Sequence, residues 1–388
     1  MDTSPSDTSP ADTSPADTTE PADVVVEPPP GTVFFAPTVL HTVDIVVAAA
    51  DLGTLDDDQS VRVPCAVTYD GTTIADAGCK KKGQSTLRPL DGKPSFTVKL
   101  DETTAGADID GVQRFALNNT IRDPTFTSEP LTYLLYQRAG VEAPRTAHAV
   151  VRLNGEVKGL YVVVEGVNKH WLKQRFGDGS GNLYEGPWDF TQDPNALELK
   201  DEDEGRMRDD LVALTQAIRD ADDAHLVAAL EPLMDVDQTL TMMAVDMAYC
   251  LWDSYTVAAW NFYLYHLPGG RFVWVPHGAD WPYYVPELDP FEPDFRPWGE
   301  QYPAGILAIR LIPAAADRYR QKLVTVRDQA FDLAALDARI DDIVTAIHSA
   351  DTRIPILADE VQAFDDHLDE PRDFDAARRA FLDGAITP

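Results

Sequence analysis

The 388-residue chain has only three cysteines, eight histidines and little positive charge. No CxxC or HExxH is present, and no histidine pair has metal-ligand spacing, which argues against a zinc centre. GxSxG, a Walker loop and a strand-borne GxGxxG are also missing, so a hydrolase elbow, a P-loop and a dinucleotide site are not expected. No segment approaches the roughly 18–20 unbroken apolar residues of a membrane helix. Lys and Arg number 32 against 65 acids, a formal charge of −33 that would repel nucleic acid or an anionic membrane. Seven of those negative charges lie in residues 1–30, which hold no Lys or Arg, leaving 26 on the rest. Against so acidic a background, any basic cluster becomes informative.

What is present begins with "MDTSPSDTSPADTSPADTTEPAD", a five-residue repeat with nothing to bury. Residues 1–32 are expected to form a disordered Asp/Thr/Ser/Pro spacer. Such stalks commonly follow a surface anchor, so the expectation is a secreted or cell-surface protein with an export signal or lipid anchor upstream. Residues 33–388, 44% hydrophobic over the whole chain, can bury a substantial core. Cys65 and Cys79 flank a hairpin turning at Asp70-Gly71. A strict two-residue turn sets Cys65 opposite Asp76; a bulge near Ala77-Gly78 would let the sulfurs meet, and the spacing leaves both outcomes open. Cys250, in an apolar helix, reads as a buried free thiol.

From Val33, β-branched alternating runs predict strands in "HTVDIVV", "VRVPCAVTYD", "TTIADAG", "PSFTVKL" and "QRFALNN", and two more strands are expected in "AHAVVRLNG" and "GLYVVVEG", joined by a turn around Asn154-Gly155. "DPTFTSEPLTYLLYQRAG" predicts a helix, with Asp123 or Ser128 as cap and Gly140 as stop. The second half is mainly helical, apart from the hairpin "WNFYLYHLPGGRFVWVP". The layout is α+β, strand-rich first and helical second, with a cleft between.

Two constellations carry chemistry. Asp253 precedes Asn261 by eight residues, and Asp280 closes the hairpin, which returns it to the end where Asn261 starts. Asp for a hydroxyl proton, with Asn and Asp for metal ions on phosphates, is the residue set of phosphoryl transfer, and hard oxygen donors suit Mg²⁺. Spacing alone does not separate this set from the strand-end carboxylates of any acidic chain. The second constellation is "CKKKGQSTLRP", where Lys82 and Ser85 flank Gly83 in a form that lets backbone amides approach phosphate. Lys93 and Lys99 follow with equal strand parity, and Glu129 is the acid expected to pair with whichever faces the cleft.

The order of these pieces resembles the CotH kinase family, over Thr38 to Tyr284 most closely. "AGVEAPRT", "LNGEVKGLYVVVE", "GNLY", "DSYTVAAWNFYLY" and "VWVPHGAD" carry the resemblance. It implies a two-lobed atypical protein-kinase-like fold, with an N-lobe over about 33–166 and a C-lobe over about 167–388. It also implies ATP with Mg²⁺ or Mn²⁺ as cofactors and a protein substrate. By the resemblance, Asp253 is the catalytic acid and Asn261 and Asp280 hold metal. Lys82, Ser85, Lys93, Lys99 and Glu129 surround the nucleotide, Lys99 being preferred over Lys93 as its lysine. Glu165 ends the segment that would read adenine. The departures are His277, Gly278 where many members carry Asp, Trp260, Lys82 for Arg, and Glu185. Loss of the acid at 278 keeps a catalytically silent module open, as is transfer of another moiety such as AMP.

Overall fold

The computed structural model describes Met1 and residues 28–186, 188–200, 206–280, 285–294 and 304–386. The expected spacer falls almost wholly outside the described residues. The first half forms strands β1 (Leu40–Val47), β2 (Val63–Tyr69), β3 (Thr72–Lys82), β4 (Ser95–Lys99), β5 (Arg114–Asn118), β6 (Thr146–Leu153) and β7 (Glu156–Glu165), with helices α1 (Leu52–Asp57) and α2 (Ser128–Arg138). These strands close into a barrel in the order β1-β2-β3-β4-β5-β7-β6, sealed by the parallel pairing of β1 with β6. The sequence predicted the strands and not the closure, because pairing between ends distant in the chain leaves no local signature.

Alternation places Val43, Ile45, Val67, Phe96, Val98, Leu117, Tyr161 and Val163 inside the barrel, each almost fully buried. Burying such a side chain is worth about 1.5–3 kcal/mol relative to exposure. On β7 the intervening Leu160, Val162 and Val164 pack outward into the helical core. A strand buried on both faces reads as a continuous apolar run, which is why "LYVVV" does not alternate. Both two-residue hairpins bend as predicted: Asp70-Gly71 and Asn154-Gly155 all have positive φ, the geometry that Asn/Asp-Gly turns supply.

Cys65 and Cys79 form a disulfide with a Cα separation of 6.0 Å. The register passes from Cys65↔Ala77 to Val67↔Ile74, so the extra residue lies between Ile74 and Ala77 on β3. The bulge therefore falls slightly before the Ala77-Gly78 position expected from sequence. It leaves Cys65 and Cys79 as diagonal neighbours on the barrel's inner face.

The second half comprises α3 (Lys169–Phe176), β8 (Leu183–Gly186), β9 (Glu198–Leu199), α4 (Asp209–Asp220), α5 (Leu226–Leu230), α6 (Val236–Ala248), α7 (Tyr255–Ala258), β10 (Phe262–His266) and β11 (Phe272–Pro276). Helices α8 (Ile306–Ala314), α9 (Ala316–Thr325), α10 (Leu333–Ile347), α11 (Pro355–His367) and α12 (Asp369–Ala385) follow. The predicted hairpin forms one side of a four-stranded sheet, β11-β10-β8-β9, with β11 at the edge and "LYEG" pairing with β10. The largest core joins α2, α6 and the C-terminal helices to the outer faces of β6 and β7. The protein is thus a mixed α+β structure, strand-rich first and helical after. Among the described residues, no helix is long and apolar enough to cross a membrane.

Candidate functional site

Antiparallel register sets one row of side chains across the barrel. Lys82 faces Ser95 on β4, and Phe96 faces Leu117, which puts Ser95 level with Asn118 on β5. The small Ser95 side chain lets Lys82 Nζ reach across to Asn118 Oδ1, at 2.8 Å. Asn118 in turn donates from Nδ2 to Glu129 Oε2, at 2.6 Å. Glu129 stands in the first turn of α2, whose leading amide is capped from outside the helix: Ser128 N donates to Asp123 Oδ2 at 2.9 Å. The sequence offered Asp123 or Ser128 as cap; Ser128 is instead the first helical residue, and Thr127 holds the cap position.

Asp280 joins this group. It lines a small pocket with Thr86, Asn118, Arg122, Asp123 and Glu129. Burial is the main force on the Glu129 and Asp280 carboxyls. Burial and the nearby Asp280 charge push Glu129 up to about 7, against the pull of Lys82 and the Asn118 hydrogen bond. Asp280 is raised by burial, opposed by Lys82, and pushed further up by Asp123.

A second pocket adjoins it along the 277–280 segment, lined by Tyr136, Asp253, Ser254, Asn261, His277 and Gly278. Asn261 Nδ2 donates to Asp253 Oδ2 at 2.7 Å. Burial, then the Asp280 charge, pushes Asp253 up to about 7. Beneath this loop the fully buried Asp246 accepts from Thr256 Oγ1 at 2.6 Å and from the Tyr136 hydroxyl. Burial pushes Asp246 up to about 6. Backbone strain is concentrated here: Ala259, Asn261 and Gly278 have φ of 57°, 53° and 62°.

Gly278 is constrained by that geometry. A Cβ at this position would lie 2.9 Å from Asn261 Oδ1 and Cγ, so a side chain conflicts with Asn261. Burial holds His277 down at about 4; its Nε2 is 3.5 Å from Glu185, which pairs with Lys200 at 2.7 Å.

Several sequence candidates lie elsewhere. Lys99 was expected opposite Glu129, but it pairs with Gly78 at the far end of β4, beside Glu102 at 3.5 Å. That end is four residues, about 13 Å, from the Ser95 row. Lys93 precedes β4 and bonds Glu360 of α11 at 2.5 Å, with Phe126 and Tyr161 rings nearby. Glu360 also accepts from Leu160 N, so this lysine clasps the helices to the barrel. The lysine that acts on Glu129 is instead Lys82, linked to it through Asn118. Ser85 is exposed on the turn after β3, and its neighbour Thr86 reaches the pocket. Glu165 is gripped by Arg145 and Arg175. Its own amide donates to Arg145 O and that of Gly166 to Arg114 O, so neither amide is left to read a base. Asn118 and Tyr136 were not singled out from sequence; the "LNN" closing a strand was the available signal.

The class defined so far is a mixed α+β protein in which the barrel and the hairpin loops bring buried Glu129 and half-buried Asp280 up to Lys82, with half-buried Asp253 in the adjoining pocket. Residues 80–382 match the family model described as CotH kinase protein. The match spans more than three quarters of the chain, and the chain belongs to the CotH kinase family. That membership points to a kinase-like phosphotransferase. No curated protein matches the chain.

Proposed function

We propose that the chain is an ATP- and Mg²⁺- or Mn²⁺-dependent protein kinase acting on Ser or Thr of a secreted or surface protein. Its two lobes, about 33–166 and 167–388, would meet at the Asp280 cleft. One observation carries this reading: Asp280 stands between two pockets, where its charge raises both Glu129 and Asp253, with Lys82 and Arg122 the counter-charges. Such an arrangement favours a cation.

The donors fit a hard divalent ion. Among the described residues, no group of three or more His, Cys, Asp or Glu converges as a ready metal cage. Mg²⁺ does not need one, since it takes one or two carboxylates and completes its shell with water and phosphate. Asp280 and the Asn261 amide oxygen would hold it, and when bound it neutralises phosphate charge. Lys82, kept in place by Asn118, would meet phosphate oxygens as a point charge. Asp253, near 7 and oriented by Asn261, is half-ionised at neutral pH and suited to accept a hydroxyl proton.

The Cys65–Cys79 disulfide supports an oxidising, exported location, consistent with a stalk behind an anchor. The acidic surface favours basic acceptor segments.

The absence of a carboxylate at Gly278 supports a second reading, a catalytically silent surface module. The two separate on one measurement: a kinase shows a thermal shift with ATP that requires Mg²⁺, and a silent module shows none. Asp280→Ala should abolish phosphoryl transfer while leaving the circular-dichroism spectrum unchanged; undiminished ATP turnover in that variant would reject the kinase assignment. Mass spectrometry of the modified acceptor distinguishes added phosphate from AMP.

A further inference from the structure

Helix α2 has a second face. Ser128 and Glu129 look into the Asp280 pocket and Tyr136 into the Asp253 pocket. Pro130, Tyr133, Leu134 and Gln137, one stripe at helical spacing, instead line a separate cavity of about 220 Å³ that opens to solvent. Its other walls are the entry to the barrel, with Phe35, Pro37 and Pro144, and α10, with Arg339 and Asp342.

The walls are about half apolar and half polar, and the polar groups are unequally satisfied. Arg145, at one side, is fully engaged: Nε and Nη2 bind Glu165, and Nη1 donates to Pro30 O at 2.5 Å. Arg339 is not. Its Nη2 donates to Thr146 O and Oγ1 at 3.2 and 3.1 Å, while its buried Nη1 has no hydrogen-bond partner. Burial lowers this guanidinium to about 10, and Asp342 is the one acid acting to raise it. A buried donor left unmade is costly, and an anion is the group that satisfies a guanidinium best.

We propose that this cavity binds an apolar carboxylate, its acid group at Arg339 and its body against Phe35, Pro130, Leu134 and Pro144. Occupancy is transmitted to the Glu129 site because both share α2. Tyr133 makes the link directly, with its ring in the cavity wall and its hydroxyl donating to Glu129 Oε1 at 3.5 Å. Binding in the cavity does not depend on the kinase reading; only the effect on nucleotide does.

The test uses the whole chain without nucleotide, titrated by calorimetry with 4-phenylbutyrate, with a short peptide ending in a free leucine carboxylate, and with its C-terminal amide. Saturable binding of a carboxylate, weakened roughly 10- to 100-fold by Arg339→Met, is the expected result. Asp342→Asn should tighten binding several-fold, a direction that misfolding does not produce. The free acid and the peptide separate a metabolite source from a chain terminus. No saturable binding, equal binding of the amide, or indifference to Arg339→Met overturns the site. Where the acid binds, it should change the affinity for Mg·ADP, and Mg·ADP should change the affinity for the acid by the same factor. Absent coupling with nucleotide bound refutes the role of α2 while leaving the cavity ligand in place.

Discussion

Glu129→Gln isolates the electrostatic strain of the carboxylate cluster, because it removes charge and keeps shape. Glu129 is 3% exposed, and burial with the Asp280 charge lifts it from 4.5 to about 7. An acid raised on folding stabilises the folded state below its unfolded pKa and loses that contribution as pH climbs through the folded value. For a rise from 4.5 to about 7, the penalty on wild type is about 1 kcal/mol at pH 5 and about 3 kcal/mol at pH 8. The variant carries no such titration. Its altered hydrogen bond from Asn118 shifts stability by a constant that cancels between the two pH values. The stability of Glu129→Gln relative to wild type should therefore increase by about 2 kcal/mol from pH 5 to pH 8. Urea denaturation of both proteins at each pH, without divalent ions, measures it. A difference that stays flat, or shrinks with pH, refutes the claim that Glu129 is held in a site too negative for it.

Three further outcomes follow from the geometry. Gly278→Asp, which restores the family's more usual acid, should lose about 1–3 kcal/mol of stability rather than gain activity, since φ is 62° and Cβ would meet Asn261; higher turnover in the variant would contradict this. Glu360→Ala strands Lys93 among rings and should cost about 2–4 kcal/mol, with Lys93→Met recovering part of it in a double-mutant cycle; additive losses would show the clasp to be incidental. Replacing Cys65 and Cys79 with Ser should cost about 3 kcal/mol, as for a loop of some 15 residues, and erase the difference between reduced and oxidised samples in thermal melts.

Much of the architecture is local and so was legible. Asp-Gly and Asn-Gly fixed two hairpins because those residues accept positive φ, and alternation marked the strands of the barrel. Asp253, Asn261 and Asp280 could be grouped because a hairpin returns its ends to one place. The candidate lysine was not legible in the same way. Lys82, Lys93 and Lys99 are equivalent by composition, and strand parity favours Lys99 as much as any. Register decides among them: it sets Lys82, Ser95 and Asn118 in one row beside α2 and leaves Lys99 about 13 Å away. Barrel closure, the Glu360 clasp and the constraint on Gly278 depend on contacts between residues far apart in the chain. The sequence by itself determined which chemistry was available and which segments would be strand or helix. Only the tertiary structure decided which charges share one buried volume, because burial and proximity, the two terms that shift a carboxylate, do not exist until the chain has folded.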